Sequence, residues 1–270
     1  SCHQGESLSD PRRFSPGVDG NHGNRHSMPL FNLAWKDRFF WDGRAPSLRA
    51  QALMPIADHL EMDESLDRVV TKLQAEPAYQ PLFRAAFGSG AITPENIGLA
   101  IENFLLTRLS FDSKLDRSTK GRAVLTDEEK RGMELFFTES EPRLGKRGAD
   151  CFHCHGGALF TDHGFHNNGL TTTDDLGLAK VTGNAADRYK FSTPSLRNVA
   201  LTAPYMHDGR FATLEEVIDH YNTGFERNET LDPNLAKHPQ GLGLSAQDKA
   251  ALVAFLKTLS DPKFEVPGAP

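Results

Sequence analysis

Apolar residues recur at helical spacing in six separated stretches of the chain. One stretch begins with the capping residue Thr93 and with Pro94 at the first helical position, and continues along an apolar stripe of Ile97, Ile101, Phe104 and Leu105. Three other helix starts are marked by capping boxes, which pair Thr126 with Glu129, Thr213 with Glu216 and Ser245 with Asp248. The pattern predicts helices at 47–54, 64–75, 93–109, 126–137, 213–221 and 245–259, with no strand of any length, so the predicted fold class is mainly α.

Between these helices lie stretches with little apolar periodicity. The first 45 residues are rich in Gly, Pro, Ser, Asn and His, and residues 139–212 are dense in Gly, Asn, Thr and Asp. A loop of the second length is improbable in a compact domain unless it wraps around a cofactor. The polar, charged segment 110–123 is interpreted as a linker, which predicts one domain at 1–120 and another at 126–262.

Composition narrows the class of protein. The 270 residues are 38% hydrophobic and 24% charged, and the net charge is −6, with a mean hydropathy of −0.47 and a pI of about 6.0. The acidic balance argues against nucleic acid or an anionic membrane as the main partner. No apolar run is long enough to span a membrane, so a globular protein with a large buried cofactor fits these values.

The run from Cys151 to His155 has the spacing C-x-x-C-H, the attachment signature of a c-type haem. Two thiols add across the haem vinyl groups, and His155 then lies under the iron as the proximal ligand. A thioredoxin-like redox site would need a βαβ context, and a structural zinc site would need a second ligand pair. Neither is found in the sequence, so we predict haem attached through Cys151 and Cys154.

Cys2 and His3 form the end of a second such motif, whose first cysteine would precede Ser1. The dipeptide is weak evidence alone and gains weight beside the complete motif. We therefore expect a mature or trimmed chain whose start lies upstream, with a second haem attached at Cys2 and ligated by His3. An odd count of three cysteines fits a disulfide framework poorly.

Several ordered sequence blocks resemble those of the bacterial di-haem cytochrome c peroxidases and their relatives of the MauG and MbnH type. The resemblance covers nearly the whole chain and departs from the family pattern at Leu178, where arginine is expected. Its blocks are Phe40-Trp41-Asp42-Gly43-Arg44-Ala45, Gln51-Ala52-Leu53, Glu61-Met62, the motif at 151–155, Thr193-Pro194-Ser195-Leu196-Arg197-Asn198, and the run from Leu201 to Gly209.

The resemblance implies two cytochrome c-like domains packed face to face, each with a covalently bound haem c. Peroxide would react at the N-terminal haem, and the C-terminal haem would exchange electrons. The family also implies one calcium ion between the domains, held by the backbone carbonyls of Thr202 and Pro204. A third calcium ligand is expected from the loop before Trp41, and Asn24 is our candidate.

The resemblance also assigns roles around the N-terminal haem. Trp41 would relay electrons between the haems, although a core aromatic is the alternative. Gln51, Pro55 and Glu61 would line the peroxide pocket, with Glu61 moving a proton between the peroxide oxygens as a general acid–base group. A solvated helix-start residue is the alternative for Glu61. Gln51 would hydrogen-bond the bound oxygen species, and Pro55 would keep a sixth ligand away.

The most informative position lies 14 residues after His207, where the ordinary peroxidases of the family carry an axial methionine. This chain has Tyr221 there, as the MauG and MbnH type does, and a helical reading places Tyr221 on the inward face with Leu214 and Ile218. A phenolate oxygen favours oxidised iron, whereas a thioether sulfur favours reduced iron. The alternative is a buried core tyrosine.

Three further residues have two interpretations each. Arg44 and Arg197 pair either with haem propionates, which suit a guanidinium, or with carboxylates in salt bridges. His22 lies where some peroxidases carry a histidine that blocks the resting N-terminal haem, but a plain loop histidine is the favoured interpretation.

Three functions follow from these residues. The first is a periplasmic MauG- or MbnH-type oxidase, in which hydrogen peroxide produces a bis-Fe(IV) state that oxidises a residue of a partner protein, expected to be a tryptophan. The second is a peroxidase that reduces hydrogen peroxide to water with electrons from a small redox protein. The third is an electron carrier without catalysis, against which Gln51 and Glu61 argue. Tyr221 favours the first.

Overall fold

The structure is a computed structural model that describes residues 2–5, 8–141, 144–170 and 174–265. Its helices are α1 (Leu48–Ala57), α2 (Leu66–Ala75), α3 (Tyr79–Phe87), α4 (Pro94–Leu106), α5 (Lys114–Thr119), α6 (Asp127–Phe137), α7 (Ala179–Thr182), α8 (Leu214–Asp219), α9 (Pro233–Ala236) and α10 (Ala246–Lys257). Two-residue strands β1 (Phe165–His166) and β2 (Phe191–Ser192) pair antiparallel, with Phe165 opposite Ser192. The described chain is therefore mainly α, as predicted.

Serine and threonine hydroxyls define the starts of α1, α2, α4, α5, α6, α8 and α10. At each of these starts the hydroxyl accepts a hydrogen bond from the backbone N–H three residues later, which satisfies one of the orphan donors of the first turn. The predicted capping boxes at α6, α8 and α10 are all present, and Thr93 caps α4 with Pro94 at its first position. The capping residues in the sequence thus predicted these helix starts to within one residue.

The C-terminal half has a single apolar core between α6, α8 and α10. Leu135, Phe136 and Phe255 are at most 1% exposed, and the rings of Phe136 and Phe255 lie 5.2 Å apart. α6 and α10 approach so closely that a Cβ at Gly132 would lie 1.9 Å from the carbonyl oxygen of Ala251. The helix pair therefore requires glycine at this crossing.

The N-terminal half has two smaller apolar clusters, one around Leu48 and Leu105 and one around Phe83 and Ile97. Phe83 belongs to α3, a helix that the sequence pattern did not predict. Pro77 and a second proline in the first turn obscured it, although proline is tolerated at a helix start.

The polar segment 110–123, interpreted above as a linker, is partly buried. Ser110 and Ser113 are fully buried, and α5 begins directly after Ser113. Asn32 exchanges two hydrogen bonds with the backbone of Ser110 (2.9 and 3.1 Å), and Asp261 accepts the N–H groups of Phe111 and residue 112. These polar groups satisfy one another inside the protein instead of meeting water, and the domain boundary expected at this segment stays a prediction.

The long loop at 139–212 carries only short elements in its described part, and it forms one wall of the candidate site. The last turn before Tyr221 differs from the prediction, because α8 ends at Asp219 and a π-helical turn (His220–Gly224) follows. None of the helices in the described ranges has both the length and the apolar character that crossing a membrane requires.

Candidate haem sites and the residues between them

The C-x-x-C-H run forms a tight turn with His155 at its end. The His155 N–H donates to the Cys151 carbonyl (2.8 Å), and His155 Nδ1 lies 3.1 Å from the Phe160 carbonyl oxygen. A carbonyl can only accept, so Nδ1 carries the proton and Nε2 keeps a free lone pair. Burial lowers the pKa of His155 and raises the pKa of the Cys151 thiol to about 12. Neutral imidazole and unpaired thiols fit a proximal ligand and thioether attachment.

The N-terminal loop repeats this geometry. His3 Nδ1 lies 3.3 Å from the carbonyl of Leu8, which is again five residues later. In each loop the glycine two residues after the histidine and the residue five positions after it, whose carbonyl oxygen is the acceptor, both have positive φ. The values are 59° and 50° in the first loop and 70° and 53° in the second. In the described residues the same backbone features therefore follow His3 and His155, and this supports Cys2 and His3 as a second haem site.

A residue pattern in the sequence, which the motif search above does not use, also marks the similarity of the two loops. After each Cys-His pair come a glycine at the second position, a bulky apolar residue at the fifth, a small hydroxyl residue at the sixth and an aspartate at the seventh. Two further histidines are buried: His26, which is close enough to His3 to affect its pKa, and His207, whose carbonyl accepts the backbone N–H of His26. Their Nε2 atoms have no hydrogen-bond partner in the part of the chain that the structure describes, which fits contact with a bound group such as a haem propionate.

The predicted peroxide pocket is built on α1 and the loop after it. Gln51 and Pro55 are one turn apart on α1, and proline lacks the N–H that would bind the Gln51 carbonyl. The loop returns to the helix through a hydrogen bond from the residue after Glu61 to the Pro55 carbonyl (3.2 Å), and the Glu61 carbonyl accepts the N–H of Val18 (2.8 Å).

Glu61 is partly buried and lies close to other charged side chains. Burial, reinforced by the negative charge of Asp58, raises the pKa of Glu61, and Arg44 opposes the shift in part. Arg44 itself binds Asp42 (3.1 Å) and lies 3.5 Å above the Phe40 ring. These contacts support the salt-bridge interpretation of Arg44, and a contact with a propionate stays a prediction.

Trp41 lies at the junction of the two halves. It is 8% exposed, its indole N–H donates to the His26 carbonyl (2.8 Å), and its own carbonyl accepts the N–H of Ser192 (2.8 Å). His26 in turn donates to the carbonyl of His207 (2.7 Å), whose ring stacks on Phe191 at 3.6 Å. A closed set of contacts therefore fixes the indole plane, as both a core aromatic and a relay require.

Arg25, which the sequence analysis did not single out, connects the same two halves. Its guanidinium binds Asp42 and Asp175, each at 2.7 Å. Asp42 is 4% exposed, so this pair is shielded from solvent. Nothing in the local sequence marks Arg25, because its partners lie 17 and 150 residues away.

Arg197 is held by groups of this chain. It binds both Asp116 oxygens (2.8 and 3.0 Å) and donates from Nε to the Ala158 carbonyl (2.7 Å), while its side chain is 4% exposed. Of the two interpretations, these contacts support the salt bridge, which ties α5 to the loop that follows His155. A propionate contact stays a prediction.

Tyr221 lies in the π-helical turn after α8. Burial raises the pKa of Tyr221 to about 12, a hydrogen bond from Asn168 opposes this shift, and Cys154 and Cys151 are close enough to add to it. The Asn168 amide nitrogen lies 3.2 Å from the phenol oxygen. The phenol is therefore close to the thiols of the C-terminal attachment loop, and ligation of a haem by Tyr221 stays a prediction.

The predicted calcium ligands and His22 have fewer contacts that bear on their roles. In the described ranges no hydrogen-bond donor reaches the carbonyl oxygens of Thr202 or Pro204, which leaves both free for a cation, while Asn24 is exposed. The calcium site stays a prediction. His22 is exposed and stacks on Phe14 at 5.2 Å, as expected for a loop histidine.

A helical fold with two similar loops, each after a Cys-His pair, is what the class of di-haem c-type cytochromes leads one to expect. The profile of the family described as di-haem cytochrome c peroxidase matches residues 1–124. The chain is 42% identical over 239 residues to the methylamine utilization protein MauG of Methylorubrum extorquens, an alignment that covers 87% of this chain and 64% of that protein.

It is also 31% identical, over 287 aligned positions, to the cytochrome c551 peroxidase of Nitrosomonas europaea, with coverage of 100% of this chain and 77% of that protein. A crystal structure of a MauG-like protein associated with microbial copper homeostasis superposes with a TM-score of 0.83 at 36% identity, over 99% of this chain and 86% of that one. The chain belongs to the di-haem cytochrome c peroxidase and MauG family, whose members are haem-dependent oxidoreductases.

Proposed function

We propose that this protein uses hydrogen peroxide to oxidise a pair of haems and then removes electrons from a residue, expected to be a tryptophan, of a partner protein that docks on its surface. Tyr221 carries the proposal: its phenol is buried and close to the thiols of the C-terminal attachment loop, which supports a role as axial ligand of the second haem. A hard oxygen ligand favours oxidised iron. The two haem c groups supply the redox chemistry when bound, and the periplasm, where such haems are attached, is the proposed location.

The side chains around the N-terminal site perform proton transfer and orientation. Glu61, whose pKa is raised by burial, takes a proton from one peroxide oxygen and returns it to the other, which helps the O–O bond to break. Two electrons and two further protons complete the reduction of peroxide to two waters. Gln51 orients the peroxide through its amide, and Pro55 keeps ligating side chains out of the pocket.

Electrons pass between the two sites through the protein. Trp41 is fixed by hydrogen bonds at both its indole N–H and its carbonyl, and an oxidisable indole between the sites divides one long transfer into two shorter ones. Because charge leaves through the protein, the partner need not enter a pocket. A calcium ion on the carbonyls of Thr202 and Pro204, with Asn24 as a further ligand, would hold the halves together.

Peroxide addition to the fully oxidised protein without an electron donor tests the proposal. We expect a long-lived near-infrared absorbance from charge shared between the haems, which the Tyr221→Met variant loses. Tyr205→Phe is the matched control, because burial also raises the pKa of Tyr205 to about 12 and no role in ligation is proposed for it. Partner oxidation by Tyr221→Met at the wild-type rate would contradict the proposal.

A second candidate function is peroxide reduction with electrons from a small redox protein. The similarity to a cytochrome c551 peroxidase across the whole chain favours it. It shares the pocket around Glu61 and differs in the use of the second haem. Rapid, sustained turnover of peroxide with a reduced small cytochrome would support this candidate over the first.

A further inference from the structure

Asn168, two residues after the end of β1, makes four contacts in and around the surroundings of Tyr221. Its amide nitrogen lies 3.2 Å from the Tyr221 phenol oxygen and 3.4 Å from the Met206 sulfur. Its backbone carbonyl accepts from His220 Nε2 (2.9 Å), and its amide oxygen accepts the N–H of Leu170 (3.4 Å). Because the amide oxygen is already engaged, the NH₂ group is the end that faces Tyr221 and Met206.

The segment that carries Asn168 is anchored independently of Tyr221. The amide of Asn167 donates to Asn228 and Thr230, each at 2.8 Å. His166 lies between Asp162 and Asp232 at 2.8 and 2.6 Å, so both of its ring nitrogens are held. Asn168 is thus presented to Tyr221 from a fixed backbone.

Two possible iron ligands therefore share one amide group. The Tyr221 oxygen is hard and, as a phenolate, anionic, whereas the Met206 sulfur is soft, and the two favour opposite oxidation states of iron. An NH₂ group has two hydrogens, one for each acceptor. A hydrogen bond to an anionic oxygen is stronger than one to a neutral sulfur, so the amide favours the arrangement in which the phenolate is formed.

We propose that Asn168 is a positioning residue that selects the ligand of the C-terminal haem: one N–H aims the Tyr221 oxygen, and the other holds the Met206 sulfur away from the iron. This inference rests on the ligation of Tyr221 in the proposed function. It adds a residue outside the sequence blocks that defined the family resemblance, and it assigns Met206 as the competing ligand.

The test compares Asn168→Leu, which removes both N–H groups at similar volume, with the wild-type holoprotein. Resonance Raman spectroscopy measures phenolate vibrations of a tyrosine-ligated ferric haem, and spectroelectrochemistry measures the midpoint potential of the C-terminal haem. We expect at least a severalfold loss of the phenolate signal and a higher midpoint potential as sulfur replaces oxygen. For the double variant Asn168→Leu/Met206→Leu, we expect the phenolate signal to be lost without a rise in the midpoint potential.

Asn103→Leu is the control, because that exposed amide binds only a carbonyl of its own helix. Should Asn168→Leu fail to accumulate, Asn168→Asp keeps the shape and replaces the donor with a carboxylate that repels a phenolate, so the same loss is expected. A wild-type protein without phenolate vibrations would overturn the Tyr221 ligation and this inference together. A wild-type phenolate signal that survives in Asn168→Leu or Asn168→Asp, with an unchanged potential, overturns this inference alone.

Discussion

Replacing Arg197 with methionine breaks the ion pair that ties α5 to the loop after His155. Methionine keeps most of the side-chain length but cannot donate to Asp116 or to the Ala158 carbonyl. The side chain of Asp116 is only 16% exposed, so its charge remains largely buried without its main partner. Removing one member of a buried pair costs about 3–5 kcal/mol, which corresponds to a fall in Tm of roughly 10 °C for a chain of this size.

The loss should also depend on pH. Burial alone would raise the pKa of Asp116, but hydrogen bonds from Arg197 and Ser113 outweigh it and lower the pKa to about 2. A carboxyl group with a lowered pKa in the folded state stabilises that state above its unfolded pKa of 3.8, and this contribution is lost as the pH falls through about 2. With solvent screening allowed for, it amounts to about 1–2 kcal/mol.

Urea denaturation followed by far-UV circular dichroism measures both effects, at pH 7 and at pH 3. We expect Arg197→Met to lose several kcal/mol at pH 7 and distinctly less at pH 3. Lys130→Met is the control, since Lys130 and Asp127 form an exposed pair worth less than about 1 kcal/mol. A loss below about 1 kcal/mol for Arg197→Met, or the same loss at both pH values, would refute the reasoning.

Three further outcomes are expected. Gly132→Ala should lower the free energy of unfolding by about 3 kcal/mol or more, because its Cβ would meet the backbone of α10, whereas Gly23→Ala, with no atom within 4 Å, should change it little in urea denaturation. Glu61→Gln should slow peroxide consumption about 10²- to 10⁴-fold in stopped-flow measurements with unchanged haem content. Trp41→Phe should slow electron transfer between the haems without loss of folding; an unchanged transfer rate in flash photolysis would assign this indole to the core alone.

Local sequence alone determined the helix starts and one complete haem motif. A hydroxyl residue followed by a carboxylate three positions later caps α6, α8 and α10. These caps do not depend on distant parts of the chain, because both capping groups lie within one turn. The attachment run from Cys151 to His155 is equally local. α3 was missed although its information is local, because the prolines in and before its first turn interrupted the pattern.

Tertiary structure decided the rest, because the partners lie far apart in the chain. The polar segment at 110–123 became buried only through groups about 80 to 150 residues away, among them Asn32 and Asp261. Asn168 meets Tyr221 across 53 positions, and Arg197 meets Asp116 across 81. A polar residue has the same appearance in a sequence whether water or a distant side chain satisfies it. Only the folded chain, in which each buried donor must find an acceptor, shows which distant group is the partner of each polar residue.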